Sequence, residues 1–408
     1  MRSKLLVLFT VLALVLGTFA TALAQDASDV FCGDLSEEDC AILQQSKEAM
    51  ATVAQNTANQ TLDVTVSGIP GLPAEEINAT LTAAILSAAD ADAVAAAASL
   101  NGLTQQEMMQ TLADDPQPLL DMVNGLDLDL SAGLSMTPEL ADLISAQSGL
   151  DFPDQIAAQF KLVDGVLYWD LSEVAAFVPT VASGWVGFPL ADVVAEMAKQ
   201  GTFDQALTAM NEQSMGAGAT ALAGAALPDF VRQNAEMFQK YTTIERGEDI
   251  DLAGQTGATF VTTFDAMSFL SGPEFQQIVV DLAKAGAFEG TGLSAADVEQ
   301  NVQMLGMMGP MLFTGITATA KQTIGLDDLY QYDYESELSW DMASLMQMAA
   351  TSGALPAEMQ PTSDNVGFSV QTIISNDNMS TEQTETVEAP VDAPMIPLES
   401  VFSVSTAP

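Results

Sequence analysis

The 408-residue sequence predicts an α+β fold: a curled antiparallel sheet, an open half-barrel of about ten strands, with helices covering its concave face. Three observations predict it. Apolar and polar residues alternate with period two in at least seven segments, each leaving one dry face and one wet face. These segments outnumber the helical ones and are not separated by regular crossover helices. No short linker divides them, so residues 25–402 read as one domain followed by a tail at 403–408. An open sheet of that many strands coils rather than staying flat.

The first element is a leader. Residues 1–24 carry Arg2 and Lys4, an apolar run from Leu5 to Leu16, and the small-x-small ending Ala22, Leu23, Ala24. This is the pattern of a secretory signal peptide cleaved after Ala24, and the run is shorter than the roughly 20 residues that span a bilayer. The mature protein is therefore expected to be secreted, or held in the extracytoplasmic envelope, with no transmembrane segment. Cys32 is preceded by Asp-Val-Phe, so no lipid attachment is expected there. Cys32 and Cys40 are the only two cysteines, and an oxidising compartment lets them pair as a structural disulfide.

A helix follows over Ser36–Ala54, with Ser36 and Asp39 forming an N-cap pattern. Leu62, Val64 and Val66 then alternate with Thr61, Asp63 and Thr65, and Ile77, Ala79, Leu81, Ala83 and Ile85 alternate with Asn78, Thr80 and Thr82. After a helical stretch at Ala91–Leu112, the run from Leu126 to Met136 puts Leu126, Leu128, Leu130, Ala132, Leu134 and Met136 on one side. Asp127, Asp129, Ser131 and Ser135 take the other. Gln159–Leu171 is a hairpin about the two-residue turn Asp164-Gly165. With Val163 opposite Val166, Leu162 faces Leu167 and Phe160 faces Trp169, while Lys161 faces Tyr168 and Gln159 faces Asp170. A slip of one residue would mix the faces, so the register is specified locally.

Helices are expected at Leu190–Met210, Pro273–Ala285 and Ser294–Phe313, and strands at 241–246, 257–264, 315–324 and 366–374. Residues 214–227 are nearly all small and read as a mobile stretch. The longest alternation is Leu329–Met342. Tyr330, Tyr332, Tyr334, Leu338, Trp340 and Met342 line one side, and Gln331, Asp333, Glu335, Glu337 and Asp341 the other, which must meet water because unpaired carboxylates are costly to bury. Val387–Val404 is proline-rich and extended, an edge strand and tail.

Charge and composition narrow the function. There are 55 acidic and 10 basic residues, for a net charge of −45, and 48% of residues are hydrophobic. Such a surface repels phosphate backbones and anionic headgroups, so nucleic acid is not an expected partner. With no histidine in the chain, His-dependent triads, His metal sites and imidazole acid-base chemistry are excluded. No Gly-x-Ser-x-Gly elbow, phosphate loop or dinucleotide fingerprint occurs. The pairs Asp127/Asp129 and Asp249/Asp251 share strand faces but lack the glycine and distal glutamate of a calcium loop. Neither enzymatic activity, a cofactor nor a metal is expected.

The segments LVDGVLYWDL at 162–171, GWVGFPL at 184–190, TIGLDDLYQYDYESEL at 323–338 and VEAPVDAPMIPLES at 387–400, in this order, give the chain a layout that resembles the LolA/LppX/LprG-like superfamily of exported bacterial lipoprotein and lipid carriers. The resemblance implies a half-barrel with a hydrophobic cavity between sheet and helices that accepts acyl chains. It carries over no individual functional residue. The chain departs from it in lacking a lipid-attachment cysteine and in its Ala-rich inserts at 90–118 and 200–235.

The candidate ligand-contacting residues follow from the apolar faces. Met304, Met307, Met308 and Met311 share one helix face at spacings of three and four, and thioethers adapt to irregular apolar ligands. The same stripe is equally the core face of a packing helix. Trp185 and Phe188, after Gly184, either close one end of a cavity or anchor the core. Phe160, Leu162 and Trp169 lie on the apolar hairpin face. Tyr330 and Tyr332, with apolar rings and polar tips, suit a cavity rim, and Trp340 continues their row. The expected function is non-enzymatic binding of a lipid or other hydrophobic ligand. The alternative is a structural or interaction module of the cell envelope whose helices fill the concavity.

Overall fold

The computed structural model describes residues 30–68, 75–100, 103, 105–148, 152–177, 183–200, 235–252, 254–284, 298, 309–311, 313–351 and 366–397. Outside them lie the segment 1–24 expected to be a leader, the small-residue stretch at 214–227 expected to be mobile, and Met304, Met307 and Met308.

Twelve strands form one antiparallel sheet that is not closed into a barrel. They are β1 (Gln55–Ser67), β2 (Glu76–Ala89), β3 (Leu126–Met136), β4 (Gln155–Val163), β5 (Val166–Asp170), β6 (Trp185–Phe188), β7 (Thr242–Arg246), β8 (Ile250–Leu252), β9 (Gln255–Phe264), β10 (Ile316–Gly325), β11 (Gln331–Asp341) and β12 (Gly367–Ser380). The spatial order is β6-β5-β4-β3-β2-β1-β12-β11-β10-β9-β7, with β8 beside β9. The chain thus meanders outward from the centre through β1 to β6, restarts at the far edge with β7, and meanders back until β12 pairs with β1. The expected α+β class and open, curled sheet are what the structure has.

Register follows the alternation. The hairpin turn has Asp164 and Gly165 both at positive φ (49° and 75°), as a tight two-residue turn between twisted strands requires. Phe160 pairs with Trp169, Leu162 with Leu167, Lys161 with Tyr168 and Gln159 with Asp170. Following cross-strand partners from β6 to β7 places every apolar alternation on a single face of the sheet. On β11 the inward set Tyr334, Ser336, Leu338 and Trp340 is buried, whereas Asp333, Glu337 and Asp341 are exposed.

Eleven helices are found among the described residues: α1 (Glu37–Met50), α2 (Ala91–Leu100), α3 (Gln105–Asp114), α4 (Gln117–Gly125), α5 (Pro138–Ser148), α6 (Ser172–Phe177), α7 (Leu190–Gln200), α8 (Ala235–Gln239), α9 (Ala266–Ser271), α10 (Pro273–Lys284) and α11 (Ala343–Thr351). Ser36 caps α1 by accepting from the Asp39 N–H at 3.1 Å, as its spacing predicts. Cys32 and Cys40 form a disulfide with Cα atoms 5.3 Å apart, tying the start of α1 to the segment before it. The helix expected over Ala91–Leu112 is two helices, α2 ending at Leu100 and α3 starting at Gln105. Among the described residues no helix is long and apolar enough to cross a membrane.

The core is uneven. The main cluster joins β9 to β12 with α8, α9, α10 and α11: Phe264, Ile316, Ala318, Leu338 and Trp340 from the sheet meet Phe238, Phe269, Leu270 and Phe313. Phe269 touches four other rings, with centroids 5.1 to 5.5 Å away. In a second cluster, Leu43 of α1 covers Ile244, Ala258, Phe260 and Ile324. The third contains only helical residues, namely Leu112 and Val194 with Leu100, Met108, Leu119, Leu120, Leu190 and Met197. No side chain of β1 to β6 belongs to any of these three buried clusters.

Candidate functional site

That unevenness locates the site. Across β1 to β5 the apolar face is half-buried rather than covered, and Leu81 and Trp169 are 43% and 41% exposed. Three rows of partnered residues cross the strands here. The middle row is small: Gln60 pairs with Ala83, Ala83 with Ala132 and Ala132 with Ala158. One flanking row is Leu62, Leu81, Leu134 and Ile156. The other is Ile85, Leu130, Phe160 and Trp169, whose last two rings stack with centroids 5.5 Å apart.

The result is a furrow with an alanine floor and walls of leucine, isoleucine and aromatic side chains. Its floor runs perpendicular to the strands over three strand spacings, about 14 Å, and each wall stands two residues, about 7 Å, to one side. Side chains rise roughly perpendicular to a sheet, so a row of methyl groups lies lower than the leucine, isoleucine and aromatic rows beside it. At one end Gln60 offers an amide beside Ile374, its partner on β12. At the other end the floor stops at Ala158, because β5 ends at Asp170 before reaching that row. Apart from Gln60, the three rows consist of apolar side chains.

The sequence-predicted residues divide between this furrow and the packed half. Phe160 and Trp169 are in a wall. Leu162 lies one row beyond, buried opposite Leu128, and Phe188 is half-buried on the same face opposite Leu167. Trp185 pairs with Asp170 on the opposite face, so it and Phe188 do not close one end together. Trp340 is buried in the main cluster, 6.0 Å from the Phe313 ring. Met311 is 43% exposed.

The tyrosine row is also outside the furrow. The Tyr332 hydroxyl donates to Asp328 Oδ2 at 2.6 Å and accepts from Gln255 Nε2 at 2.9 Å, pinning the β10–β11 turn to the start of β9. Burial, then the bond to Asp328 and its charge, push the Tyr332 phenol up to about 12. Tyr330 sits in that turn, its N–H donating to Asp328 at 3.0 Å. Tyr334 is 4% exposed, and burial raises its phenol further still.

Three of the four paired aspartates, Asp127, Asp129 and Asp249, have partners within the chain. Asp129 meets Lys161 at 2.9 Å, and Asp249 is bonded to Arg246. Asp127 accepts from the Val387 backbone and from Gln383, yet burial, followed by the charge of Asp164, lifts its carboxyl above the ordinary range. Sequence reasoning placed the wall residues other than Ile156 on the correct face but did not single out the furrow. The signal was available in the spacing of Ala83, Ala132 and Ala158, yet it becomes a row only once the strands are aligned.

No family model and no curated protein matches the chain. What the fold and site define is an α+β protein built on one open antiparallel sheet, half of it packed by helices and half presenting an apolar furrow.

Proposed function

We propose that the protein is a non-enzymatic, exported carrier or binder that holds an acyl chain or similar apolar molecule in the furrow across β1 to β5. The observation that carries this reading is the small central row, Ala83, Ala132 and Ala158, sunk between bulky half-exposed rows. Binding is by burial. At roughly 25 cal/mol per Å² of apolar surface removed from water, a ligand hiding about 300 Å² gains on the order of 7 kcal/mol before entropy losses. The Gln60 amide at one end suits a polar headgroup. The apolar leader at 1–24 and the Cys32–Cys40 disulfide support an extracytoplasmic setting. The resemblance of the sequence layout to the LolA/LppX/LprG-like carriers supports the same reading.

The alternative of a self-filled scaffold is favoured by one observation, the solid packing of Phe238, Phe269 and Phe313 over β9 to β12. It accounts for that half of the sheet and leaves the furrow without a role. Gentle purification, organic extraction and mass spectrometry decide between them. Stoichiometric lipid, or saturable uptake of a fluorescent fatty acid, is expected; neither being found defeats the proposal.

A further inference from the structure

The chain does not end at β12. Beyond Ser380 it turns onto the polar side of the sheet and crosses the lower ends of β1 to β5 to reach β6. Gln55, 1% exposed, holds the first part: its Oε1 accepts from Thr384 N at 2.8 Å, Thr384 Oγ1 at 3.0 Å and Glu385 N at 2.7 Å. The Val387 N–H bonds to Asp127 of β3, and Val387 itself is buried. Lys161 of β4 reaches the Glu388 carbonyl at 3.5 Å. The far end docks on β6, where Gly187 N donates to Pro394 O at 2.9 Å and Ile396 N donates to Gly187 O at 2.8 Å, a single parallel bridge.

Two features make this a built device. A Cβ at Gly187 would lie 2.4 Å from Met395 Sδ and 3.1 Å from the Tyr168 ring, so the Met395 thioether packs directly over the bare glycine backbone. Pro394 lacks the N–H that would reach the Trp185 carbonyl and Pro189 the one that would reach the Ile396 carbonyl, so the pairing stops at one bridge on both sides. The strap also joins the two meanders a second time. Among the described residues their other sheet connection is the β1–β12 pairing, and the strap carries chain from the β12 side to β3, β4 and β6.

We infer that residues 381–397 form a brace, latched by Gln55 and seated at Gly187, that fixes the curl of the β1–β6 half. Its consequence for ligand rests on the furrow reading: holding the curl holds the spacing of the furrow walls, and releasing the strap loosens the grip on an alkyl chain. The test uses the full chain as wild type, Gln55→Leu, which removes the acceptor of three bonds, and Gly187→Val, which blocks Met395 without touching the latch. Hydrogen exchange is read at the Gly187 and Ile396 amides. Curl is read as the distance between spin labels on Ala157→Cys and Glu337→Cys, both exposed on the polar face.

Both variants are expected to speed exchange at the two amides at least about tenfold, the effect of losing two or more ordinary hydrogen bonds, and to lengthen and broaden the label distance. An unchanged distance in both overturns the brace. Neither readout needs a ligand, so the two ideas are scored apart. A changed distance with no fatty-acid uptake by wild type upholds the brace and defeats the binding reading, and uptake with an unchanged distance does the reverse.

Discussion

Filling the furrow floor is the sharpest perturbation. Ala132 is its centre, flanked by Ala83 and Ala158 across the strands and by Leu130 and Leu134 along β3. Ala132→Phe raises a ring where the reading needs a depression. An alkyl chain crossing the floor passes about four methylenes over each strand, taking a spacing of about 4.8 Å. Losing burial of four methylenes at about 0.8 kcal/mol each removes roughly 3 kcal/mol, or about 200-fold in affinity. The fold should tolerate the change, because the site is half-exposed and phenylalanine is a good strand former, so stability is expected within about 0.5 kcal/mol of wild type. Ala157→Phe, one residue away on the exposed opposite face, is the control. Fluorescent fatty-acid titrations on the three proteins, with thermal melts alongside, give the answer. Equal affinities for Ala132→Phe and wild type, or equal losses in both variants, would refute the placement of the ligand.

Other expectations concern the frame. Phe269→Ala empties the centre of the main cluster at a residue 1% exposed and should cost about 3 to 5 kcal/mol, read from urea midpoints, without altering which face binds dye. Replacing Cys32 and Cys40 by serine opens a loop of sequence separation 8 and should cost about 2 to 3 kcal/mol in the same assay. Asp127 and Asp333 both have raised carboxyl pKa values, chiefly from burial, with Asp164 and Asp377 respectively adding repulsion. The folded state therefore binds protons more readily than the unfolded chain at these groups. Their contribution to stability should rise as pH falls towards the ordinary aspartate value of 3.8 and level off below it, a trend absent when both are replaced by asparagine. Tyr332, pushed up to about 12, works in the alkaline range: stability should fall from about pH 10, where the unfolded phenol ionises, and flatten near 12, and Tyr332→Phe should remove that component from the melting profile.

Much of the sheet was legible because alternation is a local signal. Leu126–Met136 matches β3 residue for residue, and the Asp164-Gly165 hairpin has the register its faces demanded. What was not legible depends on tertiary partners. Gln55–Gln60 reads as polar and irregular, yet it is strand because β2 and β12 pair with it on both sides. The four-residue strand β6 is too short to show a period, and α4 and α5 hide behind Pro118 and Pro138, which start helices as readily as they break them. Tyr334 was placed on the right face, whereas Tyr330 falls in the turn and the register shifts at Tyr332, and whether a face is rim or core is decided by what packs on it. The strap, too, was legible as extended and proline-rich, whereas its route under β1 to β5 rests on Gln55 and Gly187, which nothing in the linear sequence connects to it.

Alanine on the apolar face provides its own internal comparison. Ala258 and Ala318, in the packed half, are 0% and 8% exposed, where α1 and the α9–α10 pair come down on the sheet. Small residues there are explained by close approach of a helix, since a larger side chain would have no room. Ala83, Ala132 and Ala158 are on the same face but half-buried, and the third buried cluster, formed by α2, α3, α4 and α7, contains no residue from their strands. Close packing by the described helices therefore does not account for alanine at these three positions. Alanine is also a poor strand former, so the choice brings no local stability. Three in-register departures from valine or isoleucine, each between bulky neighbours on its own strand, are what a sheet needs if its centre is to receive something the chain does not itself supply.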